Sequence, residues 1–355
     1  MSLLDSKTYL EDLHTAVGAA KGLDRLSGAT VLITGATGLI GSFVADMLLA
    51  ANREAGLHVR VLAAGRDPER IRQRFAGAGD GLLPVAYDLL KPAVLPEASD
   101  YVLHAASPAD PASFASTPVE ILAGLVTGTH GLLEYARRCG AKRFLFVSSG
   151  EVYGRMPEGT EAFREEDAGF VDPQSPRSAY PNGKRAGETL CAAYTAEYGL
   201  ETVAARPCHT FGATMTGSDS RAASQFLREA AAGRPVVLKS EGLQERSWCY
   251  AADCAAALLT ILTEGRSMQA YNVACGTSQA TIAALAEWIA ETAGVPLIRE
   301  NPQLATAVQG TPIQRQVLSP KKLDSLGWKA CFSLNEGITR TLLTLQEMQF
   351  PVGTV

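Results

Sequence analysis

Apolar and polar residues follow two periods along this chain, and the order in which those periods succeed one another predicts a fold. Residues 3–20 set Tyr9, Leu10, Leu13 and Val17 at helical spacing, which predicts a short amphipathic helix ahead of the main domain. From Ala29 the pattern becomes the apolar run Ala29-Thr30-Val31-Leu32-Ile33, then a glycine-rich turn, then a helical stretch from Leu39 to about Arg53. Further strands are predicted at 58–64, 84–86, 101–104, 143–148 and 202–205, separated by helices at 68–75, 118–138 and 180–198. Strands alternating with helices imply an α/β fold with a doubly wound parallel sheet. Beyond Arg206 the rhythm loosens. A loop rich in Gly, Ser and Thr at 212–220, a helix at 221–232, short apolar runs at 235–238 and 271–273, and helices at 252–263, 281–292 and 334–346 predict a smaller lobe covering one edge of the sheet.

Composition narrows the class. Hydrophobic residues make up 46% and charged residues 19% of 355, enough apolar side chain for a large core in one domain or two interlocked ones. A net charge of -5 gives no nucleic-acid footprint. The apolar stretch 31–51 is interrupted by Gly35, Gly38, Gly41 and Asp46, so it does not read as a membrane span. The first 25 residues hold Asp5, Lys7, Glu11, Asp12, Lys21 and Asp24 without a cationic start and apolar run, and a cytoplasmic location is expected. The seven cysteines include no pair at two-residue spacing; buried free thiols are expected, and no metal site.

The segment Thr34-Gly35-Ala36-Thr37-Gly38-Leu39-Ile40-Gly41 lies between the first strand and its helix, the context that gives a glycine spacing chemical meaning. Gly35 permits a tight turn, Gly38 lets backbone approach a pyrophosphate, and Gly41 lets helix and strand pack closely, while the helix N-terminus offers free N–H groups to phosphate. The second strand of such a unit normally ends in an acid that binds the ribose hydroxyls of NAD. Here it ends Ala63-Ala64-Gly65-Arg66-Asp67. Arg66 could pair with the 2′-phosphate of NADP or be a solvated surface charge. Asp88 and Leu89, after the third strand, are placed to line an adenine pocket, although an Asp in a loop is often a turn former. The division expected from these readings is a helical extension over 1–27, a dinucleotide-binding Rossmann domain over 28–205, and a substrate lobe over 206–355, parts of which can return to the main sheet.

Tyr180-Pro181-Asn182-Gly183-Lys184 puts a phenol and an ammonium four residues apart, on one face of a helix. A lysine beside a tyrosine lowers the phenol's pKa, so that a tyrosinate can take the proton of a sugar hydroxyl as hydride leaves its carbon. A solvated helix face is the plainer reading of that pair alone; Ser148-Ser149 at a strand end upstream adds weight to the chemical one.

Together these residues resemble the extended short-chain dehydrogenase/reductases that modify nucleotide sugars, and among them the UDP-glucuronate decarboxylases. The likeness also rests on His104-Ala105-Ala106-Ser107-Pro108-Ala109-Asp110-Pro111, on Ser149-Gly150-Glu151-Val152-Tyr153-Gly154, and on Pro176-Arg177-Ser178-Ala179-Tyr180 running into Gly183-Lys184-Arg185 and Glu188-Thr189. It continues through Thr210-Phe211-Gly212 and Arg246-Ser247-Trp248-Cys249-Tyr250 with Asp253. The resemblance implies Tyr180 as base, Lys184 as its tuner and a ribose ligand, and Ser149 on the reacting hydroxyl. It implies NAD, held by Gly35, Thr37, Gly38, Leu39, Ile40 and Gly41, by Ala105, Ala106 and Ser107, and by Tyr180 and Lys184, with NADP allowed by Arg66. Glu151 and Arg246 match residues around the sugar carboxylate and nucleotide phosphates. Arg177, His209, Arg221, Gln225, Lys239 and Arg315 are further candidate ligands for a UDP-linked sugar, though the arginines could equally be surface charge and His209 a satisfied buried histidine. A homodimer is implied through helices 118–138 and 180–198, where Leu122, Val126, Leu133, Ala192 and Ala193 would suit either a partner or the sheet.

The same resemblance marks departures. Gly150 stands where 4,6-dehydratases carry the aspartic acid that protonates a leaving hydroxyl, and Glu151 stands where simple 4-epimerases tend to lack a carboxylate. Leu125 and His209 replace asparagines, and Lys239 replaces an aromatic residue near the base. A 4-epimerase, a 4,6-dehydratase and a non-catalytic dinucleotide sensor are the alternative readings.

Overall fold

Ser6 starts the first helix, its hydroxyl accepting from the Tyr9 N–H to cap α1 (Lys7–Ala19). The computed structural model describes residues 2–109, 111–300 and 313–349. After α1 come β1 (Thr30–Thr34), α2 (Leu39–Ala55), β2 (Arg60–Gly65), α3 (Pro68–Arg74), β3 (Leu82–Ala86) and β4 (Tyr101–His104). Then follow α4 (Pro111–Ser116), α5 (Pro118–Ala123), α6 (Thr129–Cys139), β5 (Arg143–Val147), α7 (Ala179–Tyr198), β6 (Thr202–Pro207), β7 (His209–Phe211) and α8 (Ala222–Ala231). The remainder is β8 (Val236–Leu238), β9 (Glu245–Tyr250), α9 (Ala251–Glu264), β10 (Gln269–Val273), β11 (Gln279–Thr281), α10 (Ile282–Ala293), β12 (Leu297–Arg299), β13 (Arg315–Gln316), α11 (Lys321–Asp324) and α12 (Leu334–Gln349).

Seven strands form one parallel sheet in the order β10-β6-β5-β4-β1-β2-β3. Strand order reverses between β1 and β4, and the C-terminal ends of those two strands carry the glycine turn and Ala105–Ser107, the crevice where ligands bind in open α/β sheets. The central strands are buried on both faces, so Val31, Leu32 and Ile33 are all inaccessible rather than alternating. α2 is likewise buried almost all round, packed between α1 and α9 over the sheet.

The predicted helix over 118–138 is divided in the structure. Residues 124–128 form one wide π turn between α5 and α6, seated on Leu89: a Cβ on Gly128 would lie 2.5 Å from Leu89 Cδ2 and 2.9 Å from its carbonyl oxygen. A second sheet, β11-β9-β13 with β7 against β9, and the pair β12-β8 lie outside the strands predicted from sequence. Those strands run two to six residues, too short for alternation to register. The seven cysteines are free; Cys191, Cys249, Cys254 and Cys275 are buried, but the expectation of buried thiols holds only partly at Cys139 and Cys208, which are half-buried, and fails at Cys331, which is exposed. No helix of the described residues is long and apolar enough to cross a membrane.

The N-terminal helix is built into the core. Tyr9 stacks edge-on against Phe43 at 5.3 Å, and its hydroxyl donates to Asp46 at 2.6 Å, an acid also paired with Arg74. Asp12 is inaccessible; it accepts from the Tyr250 hydroxyl at 2.5 Å and pairs with Arg340 of α12. Ser6 and Thr8 hydroxyls donate to Glu347 at 2.5 and 2.8 Å, fastening the first helix to the last.

Candidate active site

The glycine turn is fixed by backbone contacts that exclude side chains. Gly35 and Ala36 donate to the Ala64 carbonyl at 3.0 and 3.3 Å, and Gly38 donates to Gly35 at 2.9 Å. Gly35 sits at φ +71°, and a Cβ there would lie 2.9 Å from the Ala106 nitrogen; a Cβ on Gly41 would lie 2.3 Å from the Gly35 oxygen. So the third glycine packs against the turn itself. Gly38 caps α2 without a side chain, and among the described residues the N–H groups of Leu39, Ile40 and Gly41 have no acceptor. That cradle of free donors at the head of a 17-residue helix fits a pyrophosphate. Beneath it, Thr34 Oγ1 accepts from Ala106 N at 3.2 Å and lies 2.7 Å from His104 Nδ1. Burial, with Lys184 nearby, holds His104 down at about 3, so its ring is neutral. Ser107 Oγ donates to the Pro108 carbonyl at 2.8 Å, while Asp110 of the same motif lies outside the described residues. At the adenosine end, Arg66 is exposed, Asp88 accepts from Leu90 N at 3.1 Å, and Leu89 is committed to the π turn.

α7 can reach the sheet because two of its residues lack side chains. A Cβ on Gly187 would strike the Phe146 ring at 2.4 Å, and one on Gly183 would meet Leu125 at 2.7 Å. Leu125, in place of an amide, is fully buried and joins Phe114, Ile121 and Tyr180 in one apolar cluster. The close approach lets Lys184 Nζ donate to the Val147 carbonyl at 2.7 Å, with Nζ 5.7 Å from the centre of the Tyr180 ring. Tyr180 stacks on Phe114 at 4.5 Å; burial pushes its phenol up to about 12, while a hydrogen bond with Ser149 and the charges of Arg221 and Arg177 pull it down. Ser149, Tyr180 and Lys184 therefore form one group at the C-terminal end of β5.

Burial pushes the Lys184 ammonium down to about 7, against the pull of Glu188. An unfolded lysine keeps its proton to about 10.4, so between these values the unfolded chain binds more protons and stability rises with pH. The cost of burying this charge is therefore full below pH 7 and fades as the pH approaches about 10.4. We expect Lys184→Met to stabilise the ligand-free protein by about 1–3 kcal/mol near pH 6 and to lose that advantage near pH 10, measured by thermal melting. An equal shift at both values would show that packing, not charge, is responsible.

Beside the Tyr180 group lies a second cluster. Arg177 pairs with Glu151 at 2.7 Å and spreads over the Phe114 ring at 4.4 Å. The two line a cavity of about 250 Å³ with Arg155, Phe170, Asp172 and Ile313. Arg246 is only 1% exposed; it donates to the carbonyls of Glu245, Ile313 and Gln314, has no ion pair with a carboxylate among the described residues, and is held down at about 10 by burial, with Glu151 opposing. His209 stands edge-on to Trp248 at 5.3 Å, and its buried Nδ1 has no hydrogen-bond partner among the described residues. Burial and the charges of Arg246 and Arg221 hold it at about 3. Arg221 pairs with Asp219 at 2.6 Å. The other candidates are engaged elsewhere or stand free: Gln225 donates to Ser220 O at 2.6 Å, Arg315 pairs with Glu245 at 2.8 Å, and Lys239 is exposed past the end of β8.

One contributor escaped the sequence reading, and another, Glu188, was quoted there only as part of a motif and given no role. Phe114, on the unforeseen α4, forms the floor under both Tyr180 and Arg177. Glu188 accepts from Ser148 Oγ at 2.5 Å and from Arg206 at 2.9 and 2.6 Å, a buried charge pair directly behind Lys184. Its signal was available: Glu188 lies one helical turn past Lys184, on the same face.

The sequence pattern of the NAD dependent epimerase/dehydratase family matches residues 31–274. UDP-glucuronic acid decarboxylase 1 of Danio rerio is 31% identical over 312 residues, covering 88% of this chain and 71% of that protein. UDP-glucuronic acid decarboxylase 6 of Arabidopsis thaliana is 30% identical over 326 residues, covering 88% and 87%. Among solved structures, the Thermus thermophilus UDP-glucose 4-epimerase in complex with NAD is 27% identical, with a TM-score of 0.72 over 92% of this chain and 100% of that one.

Proposed function

The chain belongs to the NAD dependent epimerase/dehydratase family, and from that premise we propose that it decarboxylates a nucleotide-linked uronic acid, UDP-glucuronate first among them, through a 4-keto intermediate. The observation that carries this reading is a carboxylate–guanidinium pair, Glu151–Arg177, beside the Ser149–Tyr180–Lys184 group, with no acid at position 150. A side chain at 150 would point toward Leu318, 3.1 Å from the Cβ position, so no proton donor stands there for dehydration. The names of the relatives support the same reading.

A nicotinamide dinucleotide, when bound, supplies an acceptor for the carbon-4 hydride and its later return. Gly35, Thr37, Gly38, Leu39, Ile40 and Gly41 would hold its pyrophosphate, Ala105, Ala106 and Ser107 the opposite wall, and Tyr180 and Lys184 its nicotinamide end. Tyr180 takes the proton of the 4-hydroxyl, with Ser149 bonded to the same oxygen and Lys184 favouring the tyrosinate. The resulting ketone is β to the carboxylate, so carbon dioxide leaves while its bonding electrons delocalise as an enolate. A proton taken up from solvent at carbon 5, return of the hydride to carbon 4 and return of the Tyr180 proton to the 4-oxygen complete the cycle. Arg221 and His209 are placed toward the nucleotide by this reading. Incubation with UDP-glucuronate and each dinucleotide, followed by mass spectrometry and NMR, tests it: loss of carbon dioxide with a UDP-pentose is expected, whereas unchanged mass with an inverted carbon 4 would mean epimerisation.

The same proposal includes a homodimer through the outer faces of α5 and α7. Leu122 and Ala193 are exposed there, with Val126 and Ala192 partly so, while Leu133 faces the sheet instead. A solution mass of twice 37.5 kDa is expected.

A further inference from the structure

The end of β2 does not suit an unphosphorylated adenosine ribose, and its charges show what it suits instead. Five arginines lie between residues 60 and 74. Three are spoken for: Arg60 pairs with Glu97, Arg72 with Glu69, and Arg74 with Asp46. Arg66 and Arg70 are exposed, and their side chains have no hydrogen bond or ion pair among the described residues. They stand four residues apart, one at the strand end and one in the first turn of α3. Arg66 follows two residues after Ala64, whose carbonyl anchors the glycine turn through Gly35 and Ala36. So the free guanidinium lies at the end of the turn where the adenosine half of a dinucleotide emerges.

Each nearby carboxylate has at least one oxygen engaged. Asp67 Oδ1 accepts from the Glu69 and Arg70 N–H groups at 3.0 and 3.2 Å, capping α3. Asp88 accepts from Leu90 N and faces Lys91 at 3.8 Å. Neither is presented as the free acceptor pair that a ribose diol requires, whereas two unpaired guanidinium groups match a dianionic phosphate.

We infer that Arg66, assisted by Arg70, forms a site for the 2′-phosphate of an adenine dinucleotide, so that the chain selects the phosphorylated over the unphosphorylated nicotinamide cofactor. The inference rests on the dinucleotide-dependent reading above and adds to it the identity of the cofactor.

Equilibrium binding, free of turnover, tests it. Calorimetric titration of the full chain with NADP+ and NAD+ is expected to give at least about tenfold tighter binding of NADP+, the effect of a hydrogen bond to a charged group. Arg66→Ala should remove most of that preference and Arg70→Ala part of it, both leaving NAD+ binding unchanged. The preference should also shrink at high salt, because the pair is exposed. The probe 2′,5′-ADP should bind the unmodified chain and lose affinity with Arg66→Ala. Equal or tighter binding of NAD+, or an NADP+ affinity indifferent to Arg66→Ala, overturns this inference while leaving the dinucleotide reading intact. Binding of neither cofactor would overturn both.

Discussion

Tyr180→Phe is expected to slow substrate consumption by about 10²–10⁴-fold, the usual worth of a positioned general base, while the protein stays folded. The ring is the structural part of this residue: it stacks on Phe114 at 4.5 Å and belongs to the Leu125 cluster, and phenylalanine keeps both contacts. The hydroxyl is the chemical part. It is buried away from water, with Ser149 as its hydrogen-bond partner and the Lys184 ammonium near its ring, and Glu151, in the adjoining cavity with Asp172, is the carboxylate whose charge acts on it. Steady-state rates with unchanged melting temperature are the check. Activity surviving within about tenfold would move the base to Glu151, and the acid limb of the pH profile would then follow a carboxylate.

Glu188→Ala should produce the largest loss of stability of any single change behind the site. The carboxylate takes two bonds from Arg206 and one from Ser148, and both partners of the ion pair are less than one-fifth exposed. Its removal leaves the Arg206 charge uncompensated next to Tyr153 and also abandons Lys184. Breaking such a pair costs about 3–5 kcal/mol, read from urea midpoints. Replacing both charges, as in Glu188→Ala with Arg206→Met, should return a large part of that loss, since the penalty comes from the orphaned ion rather than the missing contact. If the double variant is no better than the single one, the pair acts through specific geometry and not through charge burial.

How much of this was legible beforehand depended on length and period. Six strands of the main sheet were readable as short apolar runs alternating with helical stretches, and the seventh, β10, only as an apolar run at 271–273. The glycine turn was readable because its three glycines sit in that strand–helix context, and Tyr180 with Lys184 because a four-residue spacing puts both on one face of a helix and Ser148-Ser149 lies at a strand end upstream. The β7–β9–β11–β13 sheet was not, since β7, β11 and β13 run only two or three residues and β9 opens on Glu245 and Arg246 rather than on an apolar run; Glu245–Tyr250 was visible only as a motif around Arg246. The π turn was hidden because its cause, the press of Leu89 against Gly128, joins residues 39 positions apart in sequence. Arg246 was named from the resemblance as a residue near the sugar carboxylate and nucleotide phosphates, but sequence could not say that its guanidinium is turned onto the carbonyls of Ile313 and Gln314. Nor could it tell which arginine near Arg66 would lack a partner, since Glu97 and Asp46 come from other elements.

Asp12 and Arg340, joined in the core, are separated by 328 positions of chain. During synthesis from the N-terminus the first helix leaves the ribosome long before α12 exists, so its buried acid must wait with neither Tyr250 nor Arg340 to receive it. Docking of α1 is thereby placed at the close of translation, and a protein truncated before Arg340 would keep its parallel sheet and the Tyr250 hydrogen bond yet leave the Asp12 carboxylate without the cation that neutralises it.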